Sequence, residues 1–258
     1  MDSKFLKTKT WISSAHQGSA GDNIRGNTLS SFYRAALKGA DMVETDARTT
    51  KDGVLVCNHN PEVKGFDKDG NPVEYVISET DSKTITSVIL APNDPMGVQY
   101  VPTLAQLLNL CYFTGMQVDI DLKEGLFSAE KVAHLVLEYG MRGRVVYATN
   151  GAGAEAIKRI LAIDPDARFI DKVQNYTKEN LESIENYQSK CFAYTADFSE
   201  ETIKKVRESG CMLATISLNK DNVLEAFKHH PDMAEYPHIY DFEELDKKVI
   251  RELNPQNG

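Results

Sequence analysis

Hydrophobic and polar positions follow two rhythms along the whole chain. Short apolar, β-rich runs bounded by turn residues alternate with stretches carrying apolar residues every three or four positions, the pattern of βαβ units and a parallel sheet. Eight runs read as strands: 11–15, 42–46, 54–58, 117–122, 145–149, 168–173, 192–196 and 212–217. Helical segments are expected at 28–38, 104–113, 128–139, 154–163, 178–187, 200–208 and 222–229. Ser199, just ahead of Glu200 and Glu201, reads as an N-cap, while Gly39, Gly140 and Gly210 read as helix-ending glycines. Eight strands with helices between them fit a (β/α)8 TIM barrel, an α/β fold. An open doubly wound sheet is the alternative, but no G-x-G-x-x-G follows the first strand, so its dinucleotide-binding form loses its main support.

One connection breaks the rhythm. Residues 60–102 hold two turn-rich stretches, 65–72 and 91–97, and form an insertion after strand 3. On a barrel this insertion lies on the catalytic face. Its Tyr75, Val76, Ile77, Val88, Ile89 and Leu90 are too apolar to be left in water, so it is expected to cover part of the mouth and shape the leaving-group pocket. The stretch 231–258 is polar with apolar anchors at Ile239, Phe242, Leu245, Val249 and Ile250, and is expected to form a closing helix. No repeat or linker divides the chain, which reads as a single barrel domain, 1–258, carrying the insertion 60–102.

Composition narrows the chemistry. A chain of 258 residues, 41% hydrophobic and 26% charged, is globular and long enough for one large core. Its net charge of −9 supplies no field to hold a nucleic-acid backbone or an anionic membrane, so nucleic acid is not an expected partner. Phosphate can still bind where a cation or a local Lys or Arg reverses the sign. Cys57, Cys111, Cys191 and Cys211 show no C-x-x-C spacing and read as buried thiols. No apolar run is long enough to span a bilayer and the N-terminus has no apolar leader core, so the expected location is cytoplasmic; a secreted form with a removed signal peptide is the alternative.

Active-site groups of a barrel cluster at the C-terminal ends of its strands. Four predicted strands end in titratable groups: His16, then Glu44 and Asp46, then His59, then Asp119, Asp121 and Lys123. A period of two puts Glu44 with Asp46, and Asp121 with Lys123, on the barrel's inner face, while Val43, Thr45, Ile120 and Leu122 point to the helices. Glu44, Asp46 and Asp121 would repel one another without a cation, and an all-oxygen donor set suits one Mg²⁺ or Ca²⁺. The plainer reading pairs the carboxylates with Arg or Lys inside a packed barrel layer. Asp119, one step deeper, reads as structural or supporting. Two histidines on separate strands suit acid and base work near neutral pH. Together with a cation and Lys123, they point to cleavage of a phosphodiester by attack at phosphorus.

These residues resemble the glycerophosphodiester phosphodiesterase family, a branch of the phospholipase-C-like phosphodiesterase barrels. The opening H-R-G and E-N-T blocks of the family appear as His16-Gln17-Gly18 and Gly26-Asn27-Thr28. Further blocks run from Ala35 to Asp46, from Thr50 to Val54 and over His59-Asn60, with Pro102-Thr103-Leu104 and Ile120-Asp121-Leu122-Lys123 matching the P-T-L and I-E-I-K segments. The resemblance covers most of residues 12–123 and implies a phosphoric diester hydrolase of lipid metabolism acting on a small-molecule glycerophosphodiester. It also implies His16 and His59 as the acid/base pair, Glu44, Asp46 and Asp121 as metal ligands, and Lys123 and Gln17 as phosphate contacts. Four positions depart from the pattern: Gln17 replaces Arg, Gly26 replaces Glu, Asn60 replaces Asp, and Asp121 is one methylene shorter than Glu. Gln17 offers no charged fork to a phosphate, and Arg25 is a candidate stand-in. Two further readings stay open: a non-catalytic barrel that binds a phosphorylated ligand, and a phosphodiesterase acting by intramolecular cyclisation.

Overall fold

The computed structural model describes residues 9–21, 24–151, 153–219, 221–237 and 242–253, without the side chains of Phe242, Glu243 and Leu253. The expected anchor Ile239 and the side chain of Phe242 lie outside the described residues.

In chain order the elements are β1 (Ile12–Ala15), α1 (Leu29–Leu37), β2 (Met42–Thr49), β3 (Leu55–Cys57), β4 (Glu62–Phe66), β5 (Pro72–Val76), α2 (Ser82–Ile85), β6 (Ile89–Ala91), β7 (Gln99–Tyr100) and α3 (Leu104–Thr114). There follow β8 (Gln117–Leu122), α4 (Leu126–Glu138), β9 (Val145–Ala148), α5 (Gly153–Ile163), β10 (Arg168–Lys172), α6 (Lys178–Glu182), β11 (Cys191–Thr195), α7 (Glu200–Ser209), β12 (Met212–Thr215), α8 (Val223–Phe227), β13 (Met233–Tyr236) and α9 (Phe242–Leu253). Eight strands pair in parallel in the order β1-β13-β12-β11-β10-β9-β8-β2, and β2 returns to β1, with Ser14 opposite Met42 and Ala15 opposite Val43. The sheet is therefore a closed (β/α)8 barrel.

Two strand assignments need correction. The run 54–58 is not a barrel stave: β3 folds back antiparallel on β2, with Ala47 opposite Cys57 and Thr49 opposite Leu55, so the insertion leaves from a hairpin on the second stave. The eighth stave is β13, inside the stretch read as a polar tail. Pro, Asp and Glu flank or interrupt its apolar residues, and the signal of a buried strand is lost because Glu235 points into the barrel.

The alternation of faces follows the pleat. Val43, Val118, Ile120 and Leu122 pack outward with Phe32 of α1 and with Leu104 and Leu107 of α3. Met42, Val146, Ile170, Phe192, Ala214 and Met233 pack inward as a plug that fills the lower barrel. A plugged barrel leaves only its mouth for chemistry. Helix ends follow their capping residues: Thr28 and Thr103 each form a reciprocal box with the residue three positions on, Ser199 caps α7, and Gly210 closes it in the left-handed region at φ +75°. Helix α9 is tied to β1 through Asp246, whose carboxylate accepts from Ser13 Oγ and Trp11 Nε1.

The insertion forms its own four-stranded antiparallel sheet, ordered β5-β4-β6-β7. Val56, Val63, Ile77, Ile85, Val88, Leu90 and Val101 give it a core separate from the barrel's. Tyr75 is partly buried and packs against that cluster with Val73. All four cysteines are free thiols; three are buried and Cys211 is partly so. No helix among the described residues is long and apolar enough to cross a membrane.

Candidate functional site

The parallel register of β2 and β8 sets Glu44 opposite Asp119 and Asp46 opposite Asp121, so two pairs of carboxylates stack on neighbouring staves. Glu44, Asp46 and Asp121 each present an oxygen within 4.8 Å of the others. Lys123, just beyond β8, reaches back with Nζ 2.9 Å from Asp46 Oδ1 and 2.5 Å from Asp121 Oδ2. His16 continues from β1, its backbone N–H donating to Tyr236 O, and its Nε2 lies 3.9 Å from Glu44 Oε2.

The loop from β1 to α1 supplies the other contacts. Gln17 donates its backbone N–H to Glu44 Oε2 at 2.8 Å and its side-chain amide to Asp46 Oδ2 at 3.2 Å. Asn27 donates its amide to Asp46 Oδ2 at 2.7 Å while its carbonyl accepts from Thr45 Oγ1. Both residues sit in the left-handed region, at φ +52° and +54°. Backbone strain of this kind persists where surrounding contacts fix it. Gly18 lets the loop pass so close to α1 that an added Cβ would stand 2.6 Å from the Ser31 carbonyl carbon.

His59 enters from the other side. The turn after β3 brings Asn58 N–H to Asp46 O at 2.9 Å, and Arg48 holds the His59 carbonyl with Nε and Nη2. The imidazole is exposed, with Nδ1 3.0 Å from Asn60 Oδ1. His59 lines a cleft of about 250 Å³ with Gln17, Arg25, Asn27, Glu62 and Lys64, whereas His16 lines a separate cavity of about 180 Å³ with Glu44, Asp121, Asn150 and Glu235. The two histidines thus line different hollows, and of the two His16 is the one that shares its hollow with Glu44 and Asp121. Arg25 does not reach the carboxylates with Nη1, which donates to Lys64 O and Leu90 O and pins the loop to the insertion.

The electrostatics follow from burial. Glu44 is pushed well above the usual carboxylate range by burial first, then by the charges of Asp46, Glu235 and Asp119. Asp119 shifts the same way, by burial and then by Glu235, and its Oδ1 finds no hydrogen-bond partner among the described residues. Asp121 is raised by burial against the pull of Lys123. Burial alone would lower the Lys123 ammonium, but Asp121 and Asp46 outweigh it and hold it protonated. Glu235 rises to about 7 through burial and the charges of Asp46 and Asp121. Acids crowded into a low-dielectric mouth favour either protonation or a bound cation. The hard oxygen donors of Glu44, Asp46 and Asp121, with the orphaned Asp119 oxygen below, fit a divalent ion of the Mg²⁺ or Ca²⁺ type.

Sequence reasoning noted Asn27 within the Gly26-Asn27-Thr28 block without giving it a role, and missed Asn150, Tyr194 and Glu235 as residues of the mouth. Glu235 lay in the unrecognised eighth stave. Asn150 carried a signal in Thr149-Asn150-Gly151 at the end of a predicted strand, where barrel chemistry concentrates.

A model of the glycerophosphoryl diester phosphodiesterase family matches residues 16–153. A glycerophosphodiester phosphodiesterase from Caldanaerobacter subterraneus subsp. tengcongensis is 30% identical over 142 residues, which cover 51% of this chain and 55% of that protein. The chain therefore spans about half the length of that curated relative. Among solved structures, a glycerophosphodiester phosphodiesterase from Agrobacterium tumefaciens superposes with a TM-score of 0.68 at 19% identity, covering 91% of this chain and 99% of that one. An Oleispira antarctica phosphodiesterase in complex with the product sn-glycerol-3-phosphate gives 0.69 at 17% identity, over 93% and 96% of the two chains. At such identities these two structures speak for the shared barrel.

Proposed function

Because the chain belongs to the glycerophosphoryl diester phosphodiesterase family, we propose that it hydrolyses glycerophosphodiesters, or related phosphodiesters, to an alcohol and a phosphomonoester such as glycerol phosphate. The observation that carries this reading is the meeting of Glu44, Asp46 and Asp121 beside Lys123 and His16 at the barrel mouth. The barrel and its insertion act as one domain, with the cleft at His59 running between them.

Glu44, Asp46 and Asp121 would hold one divalent cation, which when bound withdraws charge from the phosphoryl oxygens and orients the diester. Lys123 gives a non-bridging oxygen the positive charge it now gives Asp46 and Asp121. Gln17 positions rather than neutralises: its two donors hold Glu44 and Asp46 and leave no fork for the phosphate. His16, with Nε2 3.9 Å from Glu44 Oε2, protonates the leaving alkoxide from Nε2. In the tautomer with its proton on Nδ1, His59 donates a hydrogen bond to Asn60 Oδ1 and keeps the lone pair on Nε2, which takes the proton of the attacking water.

The test is incubation with Mg²⁺ or Ca²⁺ and a panel of glycerophosphodiesters, followed by phosphorus NMR. A phosphomonoester is expected, lost in Asp46→Asn and reduced about 10²–10⁴-fold in His16→Ala and His59→Ala. A cyclic phosphate would reassign the chemistry to intramolecular attack. No turnover of any diester would leave a phosphate-binding barrel in place of an enzyme.

A further inference from the structure

Asn150 donates its side-chain amide to Asp121 Oδ1, the oxygen opposite the one that Lys123 holds. It does so from a strained backbone, at φ +47°, on an exposed turn that would otherwise relax. What prevents relaxation is Asp171, at the end of β10 and 2% exposed. Its Oδ2 accepts from Thr149 Oγ1 at 2.6 Å and from Gly151 N–H at 2.8 Å, one residue on each side of Asn150. Its Oδ1 is fixed in turn by Lys172 N–H at 2.8 Å and Asn175 Nδ2 at 2.6 Å. All four bonds of this buried carboxylate are spent on holding the β9–α5 and β10–α6 turns, and none faces the mouth.

We infer that Asp171 and Asn150 are positioning residues for the third carboxylate of the cation site: Asp171 clamps the turn, and Asn150 fixes the rotation of Asp121. This rests on the reading of Glu44, Asp46 and Asp121 as cation ligands. The chain has a specific need for it. Asp121 is one methylene shorter than the Glu that the resemblance places on this strand, so its carboxylate swings on a shorter arm and must be aimed more narrowly. With Oδ1 held by Asn150, the remaining oxygen is the one that meets Lys123, whose ammonium also reaches Asp46. Partners that orient a ligating carboxylate typically carry about 10- to 100-fold in metal affinity.

Titration calorimetry with MgCl2 or CaCl2 alone, on the whole chain, separates the roles. Asn150→Gly keeps the left-handed backbone and removes only the amide, so it should leave the melting temperature unchanged and weaken cation binding about 10-fold. Asp171→Asn disturbs a fully bonded buried group and risks the fold, so Thr149→Val, which removes one arm of the clamp, reads the same route. It should weaken binding less than Asn150→Gly, and the double variant should bind no worse than Asn150→Gly, because both act through one contact. If Asp121→Asn loses binding while Asn150→Gly and Thr149→Val bind as wild type, the positioning inference fails and the cation site stands. If the two effects add, the Asp171 route is wrong. If Asp121→Asn itself binds as wild type, the cation site fails and the inference falls with it.

Discussion

Lys123 and Asp46 are joined across two staves, the ammonium 2.9 Å from Oδ1 of a carboxylate that is only 1% exposed. The ammonium holds the ground between Asp46 and Asp121 that a cation shared by these carboxylates would take. On the proposed function, a cation held by Glu44, Asp46 and Asp121 would compete with this ammonium for the two carboxylates and leave Lys123 to meet a phosphate. Lys123→Met should cost about 1.5–3 kcal/mol in chelator, the range for hydrogen bonds to charged groups. Added Mg²⁺ or Ca²⁺ should recover most of it and raise the melting temperature more than in wild type. Denaturant melts with and without metal check this, and equal metal-induced shifts in the two proteins would contradict it.

Glu235 sets a pH signature. Its proton is held more tightly in the folded chain, at about 7 against an ordinary 4.5, so folding pays nothing for this group below about 4.5 and the full cost above about 7. Glu44, Asp119 and Asp121 lean the same way, all through burial. Exposed Asp52, lowered to about 2 by its bonds to Thr50 and Ser82, leans oppositely, so the informative quantity is a difference. Glu235→Gln should be more stable than wild type at pH 8, and the gap should close toward pH 4.5. Metal-free thermal melts across that range read the gap, and a gap that does not change with pH counts against the assignment.

Gly18→Ala probes the loop that carries Gln17. At φ +76° and with a new Cβ 2.6–2.8 Å from the backbone of Ser31 and Phe32, the substitution should destabilise by well over about 1 kcal/mol. The hydrogen bond from Gln17 N–H to Glu44 should go with it, weakening cation binding in calorimetry. Wild-type stability in this variant would mean that the loop packs otherwise.

The barrel was legible because seven of its staves are short apolar runs and most of them, such as β8 and β11, lead into amphipathic helices, a pattern that local periodicity reports. The hairpin return of β3 and the stave β13 were not legible. An antiparallel fold-back has the same apolar content as a stave, and a strand built around an inward Glu235 does not look like one. Glu44, Asp46, Asp121 and Lys123 could be placed on one face from alternation alone. The supporting amides of Asn27 and Asn150 could not, since an Asn in a turn is ordinary and its reach to a carboxylate depends on backbone angles that sequence does not display.

The insertion's separate core makes it a testable unit. Ile85→Ala should cost about 2–5 kcal/mol, taken from the insertion rather than from the barrel. Limited proteolysis should then cut within 60–102 well below the main melting transition, while far-UV circular dichroism of the barrel persists. A single cooperative transition, shifted as a whole, would show the two cores to be coupled.

The fold-back of β3 gives the insertion a fixed foot. The chain leaves the second stave past Asp46, turns, and returns to bond Asn58 N–H to the Asp46 carbonyl, so His59 stands at the root of the insertion and not at its tip. The stretch from Glu62 to Tyr100 rises from that root and is bonded again higher up: Asn58 Nδ2 donates to Glu62 O, Arg25 Nη1 to Lys64 O and Leu90 O, and Ser30 Oγ to Asp94 Oδ1. On the proposed function, an insertion exchanged between Asn60 and Pro102 would reshape the cleft at His59 and, through Arg25, pull on the loop whose Gln17 holds Glu44 and Asp46, so the fit of the substrate and the setting of the carboxylates are tied by one strap.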